Sequence, residues 1–240
     1  MRRAPEVASF DCYGTLVDWE GGLGSFLYAF ALRYQKEPPE NGNAMRRRWE
    51  AIQFEQIQGP YRAYKEILAT SLKDWATERG LPYSDEDGDE LVRAMHSWQP
   101  FHDTRPALNH ARAAGLKLAI LSNTDRDIIA HSLKHLEVPF DLVVTAEDCG
   151  SYKPSPANFD RLLHELNVPA EDVIHVAFGF KYDIGPAQAA GMQTAWVNRH
   201  AEPTPPGAEP HRVWSDLWGL PHLASAAGSR MNSEVGDTST

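Results

Sequence analysis

The chain has 240 residues, 33 of them acidic and 23 basic, for a formal net charge of −10 at neutral pH. That balance argues against a nucleic-acid partner, because phosphate binding needs a basic surface, and the length suits one or two domains with a sizeable core. No apolar run approaches the roughly 20 residues that span a bilayer, so no membrane partner is expected.

In chain order, the first element is the apolar run Val7-Ala8-Ser9-Phe10, which ends at Asp11 and is followed by Gly14 and Thr15. It reads as a buried strand closed by a turn, and Gly14 lets the backbone bend sharply against a ligand. A carboxylate at the carboxyl end of a strand is placed for nucleophilic chemistry, though an Asx-type turn explains these residues equally well. From Trp19 to Gln99 the pattern is helical only. Leu23, Phe26, Leu27, Phe30 and Tyr34 share one face, and Met45, Trp49, Ile52 and Gln56 share another. Tyr64, Leu68 and Trp75 continue the theme, and Leu91, Val92, Met95 and Trp98 close it, with Ser84 and Asp87 as a helix start. These stripes read as core.

A further helix near 104–114 opens with Thr104 and Pro106 and stops at Gly115. Strands near 117–122, 141–146, 172–177 and 193–198 then alternate with helices near 125–136, 156–167 and 184–190. Such alternation predicts an α/β fold with a parallel sheet and right-handed crossovers. The segment 225–240 is polar and aperiodic and is expected to be disordered.

Three later segments join Asp11 in a pattern. Leu118-Ala119-Ile120-Leu121-Ser122-Asn123 is an apolar strand ending in Ser-Asn. Ser151-Tyr152-Lys153-Pro154 supplies a lysine, and Val173 to Pro186 supplies a strand, a loop and Asp183. In this order, over residues 7 to 198, the four segments resemble the haloacid dehalogenase superfamily. The resemblance implies a Rossmann-like doubly wound core, residues 1–18 and 100–224, with an all-helical cap domain, 19–99, inserted after the first strand. Hinges would fall at Asp18-Trp19-Glu20 and between Trp98 and Asp103. The first strand would lie between the second and the fourth, bringing Asp11, Ser122 and Asp183 to one crevice at the switch point.

The resemblance can be narrowed by what the chain lacks. Superfamily phosphatases carry a general-acid Asp two residues after the nucleophile, where this chain has Tyr13. They also carry paired carboxylates after the fourth strand, of which only Asp183 remains beside Ala177 and Phe178. Asp-Xaa-Tyr-Gly-Thr-Leu instead resembles the (S)-2-haloacid dehalogenase branch, which implies no cofactor and no metal. By that resemblance Asp11 displaces halide from carbon, and water then hydrolyses the ester at the Asp11 carbonyl. Lys153 and Asp183 would activate that water, with Lys153 keeping Asp11 ionised. Thr15 would fix the attack angle, Ser122 would receive the substrate carboxylate and Asn123 would face the leaving group.

The chain also departs from the branch. An Arg follows the cap Trp there, whereas here Glu50 follows Trp49. Arg46, Arg47 or Arg48 would have to substitute, with Arg46 on the same helix face. The branch Tyr six residues after the lysine is Phe159 here. Its small polar residues after the fourth strand are replaced within Phe178-Gly179-Phe180-Lys181-Tyr182, with one residue inserted. Tyr13, Arg46, Trp49, Glu50, Phe178, Phe180 and Tyr182 are therefore the expected substrate contacts, with Glu50 as a solvated helix residue the plainer alternative.

Other constellations fall short. His131 and His135 have a helical metal-ligand spacing but no third ligand nearby in sequence, and Cys12 should point away from the crevice by strand alternation. The two cysteines make no disulfide framework, and Met1-Arg2-Arg3-Ala4-Pro5 is no hydrophobic leader, so a cytoplasmic location is expected. The expected activity is hydrolysis of a small 2-substituted carboxylic acid through an aspartyl ester. Displacement of an amine from a small imino acid is the first alternative, since Glu50 suits an ammonium better than a halide. A catalytically weak binding member of the superfamily is the second. A homodimer is left open.

Overall fold

The computed structural model describes residues 4–35, 40–207 and 209–223; the expected disordered tail, 225–240, lies outside them. Strand β1 (Val7–Phe10) is buried at every position. It pairs in parallel with β2 (Lys117–Ser122) on one side and β4 (Val173–Ala177) on the other. With β3 (Leu142–Thr145), β5 (Gln193–Val197) and β6 (Arg212–Trp214), they form one parallel sheet of order β3-β2-β1-β4-β5-β6. The first strand therefore sits between the second and the fourth, as expected for a doubly wound sheet. Its carboxyl edge gathers the loops after β1, β2 and β4.

Helices α5 (Thr104–Ala113), α6 (Arg126–Leu136), α8 (Pro156–Leu166) and α9 (Gly185–Ala189) connect the strands. Between β3 and α8, the four-residue helix α7 (Ala146–Cys149) is closed by a capping box of Thr145 and Asp148. A π-helical turn, Phe180–Ile184, precedes α9.

The described residues between 19 and 95 hold four helices: α1 (Trp19–Leu32), α2 (Gly42–Ile57), α3 (Tyr64–Glu78) and α4 (Asp85–Met95). Helices α1 and α2 approach so closely that a Cβ on Gly42 would lie 2.6 Å from the Gly24 carbonyl oxygen, which excludes any larger residue there. Trp75 is fully buried, meets Phe30 edge-on and donates its indole N–H to the Met45 carbonyl. Ser84 and Asp87 form the capping box expected for α4. One hydrophobic cluster runs from Phe10 in the sheet to Trp49 and Trp75 in the helices.

The two connections to the four-helix segment run side by side. Asp18 N–H donates to Gln99 and Phe101 N–H to Leu16, while the Thr104 hydroxyl also reaches the Leu16 carbonyl. On the far side, α3 has no cap of its own, since Ala63 precedes it. Asp125, in the loop after β2, takes that role by accepting from Tyr64 N at 2.8 Å and Lys65 N at 2.9 Å. A carboxylate facing the first N–H groups of a helix satisfies orphan donors and meets the positive end of the dipole.

Asp125→Ala should therefore lower stability by about 1–2 kcal/mol, the cost of an N-cap. Urea unfolding should show a lower midpoint with an unchanged slope. An unchanged midpoint would mean that water serves α3 equally well.

Candidate active site

The peptide after β1 turns at once. Asp11 N–H donates to the Val176 carbonyl, while Leu16 and Val17 N–H groups both return to the Cys12 carbonyl. Gly14 has φ +93°, and a Cβ there would strike the Phe178 ring at 2.4 Å, so this turn requires glycine. The Asp11 carboxylate is left at the sheet edge with each oxygen held by one donor. Thr15 Oγ1 donates to Oδ2 at 2.9 Å, and Lys153 Nζ donates to Oδ1 at 2.9 Å. Thr15 Oγ1 in turn accepts the Phe178 N–H at 2.9 Å, which ties the β1 and β4 loops together.

Lys153 is 1% exposed, and its ammonium has three acceptors for three protons. Besides Asp11 these are the Leu121 carbonyl at 2.9 Å and Asp183 Oδ1 at 2.6 Å. Asn123 clamps the backbone that delivers it, accepting Lys153 N–H at 2.7 Å and donating to the Lys153 carbonyl at 3.0 Å. The Asn123 amide expected to face the leaving group is thus engaged with the Lys153 backbone, although the residue does border the cavity.

Asp183 Oδ1 has a second donor that sequence reasoning missed. His175, fully buried on β4, reaches it from Nε2 at 2.9 Å, and Ser9 Oγ meets His175 Nδ1 at 2.8 Å. A histidine inside an otherwise apolar strand is the signal that could have found it, since a buried polar group needs partners.

Burial pushes the Asp11 carboxyl above its ordinary value; Lys153 opposes that shift and the Asp183 charge adds to it. Burial also pushes Asp183 up, but the Lys153 charge and the His175 hydrogen bond outweigh it and leave this carboxyl lowered. For Lys153, burial disfavours the cation, yet Asp11 and Asp183 together hold its value above the ordinary one. The site therefore holds one firm cation, one firm anion and one more basic carboxylate.

A cavity of about 60 Å³ opens in front of these groups. Asp11, Ser122, Asn123, Lys153 and Asp183 border it from the sheet side, with Tyr13, Phe178, Gly179 and Tyr182. Trp19, Glu50, Gln53 and Tyr64 close it from the helical side, and of these only Glu50 was expected. Ser122 Oγ is buried without a hydrogen-bond partner. The Tyr64 hydroxyl accepts from Gln53, which leaves its own proton for the cavity, and burial keeps that phenol protonated. Tyr13 directs its hydroxyl to Ser132 Oγ, 2.8 Å away, so it offers the cavity its ring.

Three expected contacts stand elsewhere. Trp49 is fully buried beside Trp19, Phe180 packs edge-on against Trp196, and neither borders the cavity. Arg46 lies behind the wall, its guanidinium bonded to Glu20 at 2.8 Å and Glu50 at 2.9 Å and resting 5.5 Å over Trp19. Two carboxylates outbid any ligand for it. Glu50 itself faces the cavity, and burial raises its carboxyl despite Arg46. Cys12 is buried away from the cavity. Both helix histidines bond backbone carbonyls, of Asp127 and His96, and the described residues hold no group of three metal-ligating side chains.

A doubly wound α/β core with a carboxylate–lysine–carboxylate cluster at its switch point is what this fold and edge define. A family model for haloacid dehalogenase-like hydrolases matches residues 5–191, and the chain belongs to that family. It is 26% identical over 203 residues to haloacetate dehalogenase H-2 of a Moraxella species, covering 81% of this chain and 86% of that one. It is 27% identical over 197 residues to an (S)-2-haloacid dehalogenase of Pseudomonas putida, covering 79% and 83%. The crystal structure of an L-2-haloacid dehalogenase superposes with a TM-score of 0.82 at 23% identity, covering 93% of this chain and all of that one. No helix among the described residues is long and apolar enough to cross a membrane.

The carboxyl carbon of Asp11, followed by ¹³C NMR and assigned with Asp11→Asn, should titrate above the ordinary aspartate value of about 3.9. Lys153→Gln removes the opposing cation and should move that titration higher still. A midpoint below the ordinary value in the native protein would contradict this balance of burial and charge.

Proposed function

We propose that this protein hydrolyses a small 2-substituted carboxylic acid, with a 2-halo acid as the leading substrate class, through an ester on Asp11. The observation that carries the reading is the Asp11 carboxylate, oriented by Thr15 and Lys153 on the sheet side of a small cavity. A carboxylate held at both oxygens has its free lone pairs directed, which is the positioning that displacement at carbon requires. The partnerless Ser122 hydroxyl is a donor for the substrate carboxylate. The relatives named as haloacetate and (S)-2-haloacid dehalogenases support the same class. The four-helix segment, 19–99, acts as the cap over the site, and the small cavity suits a small acid.

In the first step an Asp11 oxygen bonds to C2 as the C–halide bond breaks, and halide leaves with its electron pair and no proton. In the second step water adds to Asp11 Cγ and gives a proton to Asp183. The bond from Cγ to the former Asp11 oxygen now on C2 then breaks, and that oxygen takes the proton to leave as the 2-hydroxy acid. The second water proton, left on the new Asp11 carboxyl, passes to solvent and restores the carboxylate. Proton transfer by a positioned carboxylate contributes about 10²- to 10⁴-fold in such steps. A divalent ion does not fit this arrangement. The Lys153 ammonium already lies between Asp11 and Asp183, where a metal would need both carboxylates.

A second reading rests on Glu50. The cap-side wall carries its carboxylate, and the neighbouring Arg46 is already doubly paired. That wall suits a protonated amine, so a strained cyclic imino acid opened by Asp11 is the competing substrate.

Incubation with 2-chloropropionate, fluoroacetate and four-membered cyclic imino acids separates the readings by halide release against ring-opened product. Release of neither would leave a binding protein. Dialysis against a chelator should leave the rate unchanged, and a loss restored by Mg²⁺ would contradict the two-step scheme. Glu50→Arg should shift the halide-to-amine rate ratio by more than about tenfold, about 1.4 kcal/mol of barrier, because the reversed charge borders a partly dry site. A shift within about twofold would remove Glu50 from substrate selection.

A further inference from the structure

The polar chain behind Asp183 continues past the residues used in this scheme. Ser9 and His175 are paired across β1 and β4, so their side chains adjoin on one face of the sheet. Their surroundings are largely apolar, apart from the buried Thr194 opposite His175 on β5. The ring of Phe159, fully buried, meets His175 edge-on at 5.7 Å, and Val173 lies on the same side of the strand. An imidazole here costs free energy unless both ring nitrogens are satisfied. They are: Ser9 and Asp183 occupy Nδ1 and Nε2.

Asp183 is a carboxylate that only accepts, so His175 Nε2 carries a proton and donates to it, while Nδ1 is hydrogen-bonded to the Ser9 hydroxyl. Asp183 Oδ1 thus receives two donors, Lys153 from the segment before α8 and His175 from within β4. Oδ2 receives none and lies against Gly179, where a Cβ would come within 2.7 Å of it. Gly179 borders the cavity. The carboxylate is held by one oxygen and presents the other.

We infer that His175, oriented by Ser9, is a positioning residue for the second half of the reaction, aiming Asp183 Oδ2 at the water that hydrolyses the Asp11 ester. Lys153 alone cannot do this, because its ammonium also serves Asp11, and a single donor leaves the carboxylate free to rotate about it. The inference rests on the ester reading proposed above. It concerns deacylation only: the attack of Asp11 on C2 uses Thr15 and Lys153 and does not need His175.

The test compares His175→Gln, whose amide nitrogen can reach the Nε2 position, with His175→Asn, whose shorter amide keeps the Ser9 side and loses Asp183. Both variants stay polar, and circular dichroism checks their fold. Rapid quench on 2-chloropropionate reads the first-turnover burst of chloride and the steady-state rate, and intact-protein mass reads the ester. His175→Asn should keep a burst rate within about threefold of native, with steady-state turnover reduced by more than about tenfold and ester accumulating on the enzyme. His175→Gln should recover most of the turnover. Equal losses in both variants, or a slowed burst without ester, would overturn the positioning role. Asp183→Asn is the control for the underlying reading. Ester trapped in that variant but not in His175→Asn sinks this inference alone. No ester in Asp183→Asn, or no chloride from the native enzyme, sinks the haloacid-ester scheme and this inference with it.

Discussion

A single ammonium, that of Lys153, is the constraint around which the candidate site is arranged. Taking a lysine out of water costs several kcal/mol unless all its protons are met and opposite charge lies close. Here the three acceptors are Asp11, Asp183 and the Leu121 carbonyl, drawn from the ends of β1, β4 and β2. Those strands are neighbours only because of the sheet order, so the topology and the buried cation require each other. Asn123 fixes the Lys153 backbone, and Thr15 links the β1 loop to the β4 loop. Removing Lys153 would leave two buried carboxylates facing each other.

The helical side of the cavity follows a different electrostatic logic. Arg46, which could have offered a cation to the leaving group, is enclosed by Glu20 and Glu50. Glu20 also meets His200 at 2.5 Å, so this cluster joins the helices to the loop after β5. Nearby, Arg199 pairs with the buried Asp103, donates to the Thr15 carbonyl and stacks 3.8 Å over Phe101. The connections between helices and sheet are therefore braced by charge at the same end as the nucleophile loop. Substrate selection, as proposed, falls to the Glu50 carboxylate and the aromatic rings of Trp19, Phe178 and Tyr182.

Much of this was readable from the sequence for physical reasons. Strands buried on both faces must be continuous apolar runs, which exposed β1, β2 and β4. Helices packed on one side must repeat every three or four residues, which exposed α1 to α4. Asp11, Thr15, Lys153 and Asp183 stood out because their four segments, in that order, resemble the haloacid dehalogenase pattern, and that resemblance implied their convergence. Other features had no such signature. β6 has three residues and follows a proline-rich stretch, too short for any periodicity. The π-helical turn sets Phe180 against Trp196 and leaves Phe178 and Tyr182 at the cavity, a choice that no periodicity in the sequence announces. Arg46 lies on the expected helix, but its direction depends on Glu20, 26 positions earlier in the chain. Helix α7 was the avoidable miss, since Thr145 and Asp148 spell a capping box.

The central claim is that Asp11 carries the substrate as a covalent ester and that water cleaves this ester at the Asp11 carbonyl. A single turnover in heavy-oxygen water, with enzyme in excess over 2-chloropropionate, tests it most directly. The account predicts that the heavy oxygen enters the Asp11 carboxylate and that the 2-hydroxy acid leaves with an oxygen taken from the enzyme. Heavy oxygen appearing first in the product, with Asp11 unlabelled, would mean that water attacks the substrate itself and would contradict it.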